Sequence, residues 1–362
     1  MGCCGFFWKK LIPLFIIMLA ILIGYILTTP VPFGTTFWGI FKIMGLFKPE
    51  HVTEPTDLTP KARPANEIFF ELPSGNRMPG VGLGLCCRPA AYDDESVRRM
   101  VLHFLLEGGR TLDTAHLYLN HRGVAQGIKD AVSAGIPREE IFVTTKIFPD
   151  WYGKKTENWT AIILEELELD YVDLVLLHAP NLFGLYPFWA KSAMDCDKPE
   201  DCSKMTWEIL SKEVKKGTIR DIGVSNFKIE DLKEISKVEG APIAVNQVQF
   251  NPWATREQRE VVKYCVDNNI VPTGYSSLGG IFNKEKVFAK DTVAKIAEKY
   301  GKTVSQVLLR WSLQKHVSVI PGTKSPKHMR ENLDVYSFTL SDDDMKTIDS
   351  LDPDTSIFME LN

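Results

Sequence analysis

Val172-Asp-Leu-Val-Leu-Leu-His178 is the stretch that decides the fold. Its apolar residues run almost unbroken, where a strand with one wet face would alternate. Such a run is expected of a strand buried on both faces, as in a parallel sheet covered by helices. Short β-rich runs recur around it at 80–85, 111–114, 141–147, 219–225, 243–250, 271–276 and 317–321, which makes eight. Helical patterns lie between them, at 94–106, 158–167, 203–215, 229–236, 255–267 and 291–300. The first opens on a capping Asp and keeps its apolar residues on one face. Eight strand–helix units in about 290 residues predict an α/β fold, a closed (β/α)8 barrel of the TIM type rather than an open doubly wound sheet. The dinucleotide fingerprint of the open sheet is missing, because no helix N-terminus follows Gly80-Val-Gly-Leu-Gly84. Ahead of the barrel, 67–72 and Met78 flank Ser74-Gly75-Asn76 and predict a short hairpin.

The 362 residues are 44% hydrophobic and 24% charged with a net charge of -4, which excludes a disordered or coiled-coil chain and a strongly basic nucleic-acid binder. The charge is uneven. Residues 11–41 contain no Asp, Glu, Lys or Arg, and Leu11–Thr28 is almost continuously apolar. Eighteen residues at about 1.5 Å each give about 27 Å, roughly one hydrocarbon core. Lys9 and Lys10 precede the run and Trp8 sits at the interface position. The run exceeds the usual apolar region of a signal peptide and lacks a small-x-small cleavage site, so a retained single-pass transmembrane anchor is expected. The expected organisation is a short cationic segment at 1–10, the anchor at 11–28, a juxtamembrane stretch and Pro-rich linker at 29–66, and a monomeric barrel over 67–362. Residues 33–47 read as an interfacial helix, and Cys3 and Cys4 as palmitoylation sites. The lysine bias, the Asn158-Trp159-Thr160 sequon and a Cys196/Cys202 spacing suited to a disulfide lean toward a lumenal barrel, as in the endoplasmic reticulum. Cys86, Cys87 and Cys265 lie in apolar contexts and read as buried thiols.

In such a barrel the chemistry gathers at the C-terminal ends of the strands. Those ends carry Asp113, Lys146, His178, Ser225-Asn226, Gln247 and Tyr275-Ser276. Singly, each has a plain structural explanation: a cap, a rim lysine, a satisfied core histidine. On successive strands they would converge on one pocket. No metal-ligand cluster or pair of carboxylates stands at the strand ends.

The chain resembles the aldo-keto reductases. The resemblance rests on 78–84 (MPGVGLG), 112–120 (LDTAHLYLN), 143–146 (VTTK), 172–178 (VDLVLLH), 222–227 (IGVSNF), 245–249 (VNQVQ) and 320–324 (IPGTK). It implies the family's tetrad at Asp113, Tyr118, Lys146 and His178. In that reading Tyr118 donates a proton, Lys146 lowers its pKa, Asp113 holds Lys146, and His178 orients the carbonyl of a small-molecule substrate. It implies a nicotinamide cofactor held by Ser225, Asn226 and Gln247 at the carboxamide, Tyr275 against the ring, and Ser276 and Leu278 toward the pyrophosphate.

The cofactor's far end departs from the family. Aligned back from Glu331-Asn332, the usual Lys-Ser pair is Gly322-Thr323 and the usual Arg is His328, with Lys324 and Arg330 nearby. NADPH is expected, with NADH use left open. His121 replaces the acidic residue that usually follows Tyr-x-Asn, and Leu85-Cys86 replaces the usual Thr-aromatic pair. The loop after His178 carries Phe183, Leu185, Tyr186, Phe188 and Trp189, which read as a pocket wall or a membrane-facing patch. The alternative is a non-catalytic regulatory or binding barrel, like the family's channel β-subunits; the complete tetrad argues for the enzyme.

Overall fold

The computed structural model describes residues 51–87, 89–180, 196, 198, 201–279 and 291–351. A hairpin of β1 (Phe69–Glu71) and β2 (Arg77–Pro79) precedes eight parallel strands: β3 (Gly82–Gly84), β4 (Thr111–Asp113), β5 (Phe142–Ile147), β6 (Val172–Leu177), β7 (Ile219–Ser225), β8 (Val245–Gln249), β9 (Val271–Tyr275) and β10 (Ser318–Val319). They pair in chain order from β3 to β10. A parallel bridge between Val81 and Val319 brings the last strand against the first, and the Val319 N–H donates to the Gly80 carbonyl at 2.9 Å. The barrel therefore closes, and every strand predicted from sequence is present. All six residues of β6 are buried, which is why that segment shows no alternation.

The hairpin plugs the end of the barrel where the strands begin. Leu72 and Met78 pack with Phe142, Leu174, Leu176, Val245 and Val271. Asp221 accepts hydrogen bonds from the Ser74 amide at 3.1 Å and the Asn76 side chain at 3.3 Å. The open mouth is thereby the other end, where the strands stop.

Ten α-helices are present among the described residues: α1 (Asp94–Leu106), α2 (His121–Ser133), α3 (Thr156–Leu167), α4 (Cys202–Lys216), α5 (Ile229–Ile235), α6 (Arg256–Asp267), α7 (Asp291–Tyr300), α8 (Val304–Gln314), α9 (Pro326–Leu333) and α10 (Asp342–Asp349). The sequence patterns located α1 and α3 to α7. They missed α8 to α10 and also α2, whose Gly123 and Gly127 lower its intrinsic helicity. Those glycines are where α1 and α2 meet. A methyl group on Gly127 would lie 2.6 Å from Val101 Cβ and 2.7 Å from the Arg98 carbonyl oxygen. Gly127→Ala is expected to destabilise the protein by about 1–3 kcal/mol through overpacking, read as a lowered Tm in thermal unfolding.

Three expectations change. Residues 49–64 read as a free linker, yet from residue 51 the segment lies on α1. Val52 is buried. Arg99 Nη1 donates to its carbonyl at 2.7 Å, His103 Nε2 lies 2.8 Å from the Thr53 carbonyl, and the Lys61 amide donates to Leu106 at 2.8 Å. Backbone groups make most of these ties, so composition does not reveal them. Cys86 and Cys87 are not buried thiols: they are bonded to each other at the end of β3, and Cys87 is exposed. Cys265 is buried as expected, and burial pushes its thiol up to about 11. Cys196 and Cys202 are paired, as their spacing suggested.

The sequon lies in the first turns of α3, where the sequence pattern began that helix, and the Thr160 hydroxyl is buried. The single-pass membrane placement is likewise corrected: among the described residues, no helix is long and apolar enough to cross a membrane. The expected span at 11–28, the stretch at 33–47, Cys3, Cys4, and the loop residues Phe183, Leu185, Tyr186, Phe188 and Trp189 lie outside the described residues.

Candidate active site

At the open mouth, β4 ends on Asp113, β5 carries Lys146 as its next-to-last residue, and His178 follows β6 directly. Tyr118 closes a single turn of 3-10 helix, His116–Tyr118, just beyond β4. Lys146 is fully buried. Its ammonium donates to Asp113 Oδ1 at 2.6 Å, the Thr114 carbonyl at 2.9 Å and Tyr118 Oη at 3.4 Å. An ammonium has three donors, and all three are used. Asp113 turns its second oxygen to Gln247 Nε2 at 2.7 Å. Asp113 and Tyr118 are thus brought together on one ammonium, and His178 joins them through the Tyr118 ring.

Burial pulls the Lys146 ammonium below its ordinary pKa, while the Asp113 charge opposes that pull. Tyr118 moves the other way. Burial, with the Asp113 charge behind it, holds the phenol well above its ordinary value. The sequence expectation of a lowered phenol is therefore not met in this site, because desolvation of the phenolate outweighs the ammonium beside it. Burial and the Lys146 charge hold His178 well below its usual pKa, so its imidazole is neutral near pH 7. The His178 ring stands edge-on to Tyr118, with centroids 5.8 Å apart at 76°. Its Nδ1 is buried with no hydrogen-bond partner. Phe148, which sequence reading passed over, braces the same ring at 5.8 Å. Its position two residues after Lys146 was the available signal.

Asn120 is another residue the strand-end pattern missed. Fully buried, it ties the Tyr118 loop to its neighbours through the Leu85 carbonyl at 2.9 Å and the Thr114 hydroxyl at 2.6 Å.

The next three strands bring the remaining polar ends together. Ser225 Oγ donates to the Gln247 carbonyl at 2.9 Å. Asn226 stands in the left-handed region at φ 63°. Its amide donates to the His178 carbonyl and to Ser225 Oγ, each at 3.1 Å, and its oxygen accepts from Tyr275 Oη at 2.8 Å. Ser276 is also left-handed, at φ 52°, and its carbonyl accepts from Asn251 at 3.2 Å. Leu278 packs half-buried against the core. Side-chain amides that both donate and accept, a hydroxyl and an aromatic ring at one mouth form a donor set that fits a planar carboxamide. The orphaned His178 Nδ1 adds an unmet polar group beside it.

Thr323, Lys324, His328, Glu331 and Asn332 form a separate group along α9: Thr323 and Lys324 precede it, His328 is in its first turn, and Glu331 and Asn332 are in its last. Ser325 caps that helix and Pro326 opens it. The Ser325 amide donates to Thr323 Oγ1 at 3.1 Å, and His328 Nδ1 lies 3.5 Å from the same oxygen. Glu331 faces Lys327 at 3.7 Å, and Asn332 is buried. Arg330, named as a substitute for the missing family Arg, is engaged elsewhere: its guanidinium donates to Glu107 at 2.7 Å, and the same carboxylate holds Lys61.

The Aldo/keto reductase family model matches residues 80–353. The chain is 35% identical over 289 residues to glyoxal reductase of Bacillus subtilis, covering 79% of this chain and 94% of that one. It is 34% identical over 301 residues to NADP-dependent D-sorbitol-6-phosphate dehydrogenase of Malus domestica, covering 78% and 93%. The solved Bombyx mori aldo-keto reductase in complex with NADP superposes with a TM-score of 0.70 at 26% identity, over 83% of this chain and 96% of that one. The chain belongs to the aldo/keto reductase family, a family of oxidoreductases. The matched relatives are enzymes, which disfavours the non-catalytic barrel. These matches fall on the barrel and nearly exhaust the relatives' own length, so the kinship carries no membrane placement for the chain.

Proposed function

We propose that this chain reduces an aldehyde or ketone to an alcohol with NADPH, with Tyr118 as proton donor. The observation that carries the reading is the Asp113–Lys146–Tyr118 chain of contacts with the neutral His178 edge-on to the phenol. Ser225, Asn226 and Gln247 would hold the nicotinamide carboxamide, Tyr275 would lie against the ring, and Ser276 and Leu278 would line the way to the pyrophosphate. When bound, the nicotinamide supplies the hydride, which no side chain can.

The rest is the work of the chain's own residues. The substrate carbonyl oxygen sits between Tyr118 Oη and the His178 imidazole. A neutral imidazole can donate one hydrogen bond to that oxygen, and it adds no second positive charge beside Lys146. Because the phenol stays protonated, Tyr118 carries its proton to the oxygen as negative charge develops there. Lys146 then faces the phenolate left behind, which an ammonium at hydrogen-bond distance stabilises. Asp113 and the Thr114 carbonyl keep that ammonium in place, and Gln247 keeps Asp113 in place. A second oxygen-bearing group is not needed: one C–H and one O–H bond form as the carbonyl π bond is consumed.

The NADP-dependence in the name of the Malus domestica relative supports NADPH. On this chain the adenosine 2′-phosphate would meet the start of α9, with Thr323, Lys324 and His328 around it; helix N-termini favour anions. Glu331 and Asn332 would stand on the adenine side. An imidazole ring lacks the two-pronged donor fork with which a guanidinium grips phosphate. His328→Arg is expected to tighten NADPH by about tenfold, about 1.4 kcal/mol, and to leave NADH unchanged. Fluorescence titration with each cofactor checks this. A panel of aldehydes and ketones run with both cofactors tests the function itself. Consumption of NADPH by none of them, at saturating cofactor, would overturn the reading.

A further inference from the structure

We propose that Glu166, an acidic residue on the outer helix α3, is a positioning residue for the proton donor, acting through His116 and His121. The inference rests on the assignment of Tyr118 as proton donor. The two histidines flank Tyr118 in the chain. His116 opens the single helical turn that Tyr118 closes, and His121 begins α2. Both are buried, and their rings stack with centroids 5.9 Å apart.

The donors and acceptors around the pair define its hydrogen positions. Trp159 is fully buried, and its indole N–H donates to His116 Nδ1 at 3.1 Å. An indole only donates, so that nitrogen must accept. The proton of neutral His116 is then on Nε2, which faces Glu166 Oε1 at 3.7 Å. His121 Nδ1 lies 2.8 Å from Glu166 Oε2. A carboxylate only accepts, so His121 carries its proton on Nδ1. Its Nε2 is left to accept from Thr145 Oγ1 at 2.9 Å. Burial holds His121 below its ordinary pKa, consistent with that neutral form, and the two histidines hold the Glu166 carboxyl well below its ordinary range.

The carboxylate thus hydrogen-bonds the His121 ring and stands beside the His116 ring stacked on it, and the His121 ring reaches Thr145, the residue before Lys146. The link joins the loop that carries the phenol to the strand that carries the ammonium, by a path separate from the contact between the two groups themselves. That contact is long, 3.4 Å from Lys146 Nζ to Tyr118 Oη. Its length is what such a tie would govern, and proton transfer is sensitive to displacements on the scale of an ångström. None of Glu166, His116 or His121 contacts the carboxamide residues Ser225, Asn226 and Gln247 through any of these bonds, so cofactor binding should be indifferent to the link.

The test is steady-state reduction of a reactive aldehyde by the full chain, with rates normalised to the fraction that binds NADPH. Glu166→Ala is expected to lower kcat by about tenfold to a hundredfold, with aldehyde KM and NADPH Kd within about twofold of wild type. Glu166→Gln, which keeps one acceptor for His121, should recover part of the loss. Thr145→Val cuts the same link at its far end while keeping the side chain's shape, and should lower kcat in the same direction even if Glu166→Ala folds poorly. A normalised kcat within twofold of wild type in both Glu166→Ala and Thr145→Val overturns the proposal. So does a loss matched by weaker NADPH binding, or one that Glu166→Gln does not lessen. Wild type and Tyr118→Phe run alongside. If wild type is active, Tyr118→Phe inactive and both Glu166→Ala and Thr145→Val unaffected, only the Glu166 inference fails. If Tyr118→Phe remains active, the proton-donor assignment fails and takes the inference with it.

Discussion

Tyr118→Phe is expected to abolish carbonyl reduction while NADPH still binds. The change removes one oxygen from a half-buried side chain and leaves the ring, so the packing against His178 survives. What goes is the proton. General acid catalysis contributes about 10²–10⁴-fold, and the expected fall in kcat is of that order. No neighbour can replace the phenol. His178 is neutral, and a neutral imidazole is a far weaker acid than an imidazolium; Lys146 loses one partner with the Tyr118 oxygen, but its charge stays tied to Asp113 and the Thr114 carbonyl. Fluorescence titration should return a cofactor Kd close to wild type. Retained turnover would refute the mechanism, and lost cofactor binding would show that the ring, rather than the proton, had been disturbed.

Lys146→Met is expected to damage both activity and stability. The ammonium is fully buried beside Asp113 at 2.6 Å. Methionine matches the volume of the stem but removes the charge. Asp113 is then left buried with Gln247 as its remaining side-chain partner. Stranding one member of a buried ion pair costs about 3–5 kcal/mol. Turnover should fall with the loss of the phenolate's stabilising cation. Pairing Lys146→Met with Asp113→Asn offers the discriminating measurement. The double variant no longer strands a charge, so it should regain Tm relative to Lys146→Met alone without regaining turnover. If activity returned with stability, the lysine's role would be packing rather than catalysis.

Much of the barrel was legible because a parallel strand buried on both faces leaves a plain mark. Val172–Leu177 shows it most clearly, and all eight predicted strands are found. The tetrad was legible for a related reason. Asp113, Lys146 and His178 interrupt apolar runs at one end only, and Tyr118 was added by resemblance. The first helix was marked by its apolar face, whereas α2 was masked by Gly123 and Gly127, whose value lies in the neighbouring helix they let approach. The docking of residues 51–63 was hidden because Arg99, His103 and the Lys61 amide bind backbone atoms, which every sequence has. The apolar run at 11–28 was read as a membrane span from its hydropathy and length and from the flanking Trp8, Lys9 and Lys10, and neither the described helices nor the family kinship carries that placement.

The electrostatics of the site lay beyond sequence altogether. The residue types suggested a tyrosine made more acidic by a lysine. The fold buries that phenol and sets Asp113 close enough to oppose the lysine, and the balance goes the other way. Glu166 is the sharper case. In sequence it is one acidic residue among several on α3, 45 positions from His121 and without a motif. Sequence by itself determined which segments are strands, where they end and which polar residues stand at those ends, because those are properties of residues near one another in the chain. Only the tertiary structure decided which carboxylate meets which histidine, which way the phenol's pKa moves, and that Arg330 serves Glu107. Those depend on distances across elements and on exclusion of water, which no local pattern of residues encodes.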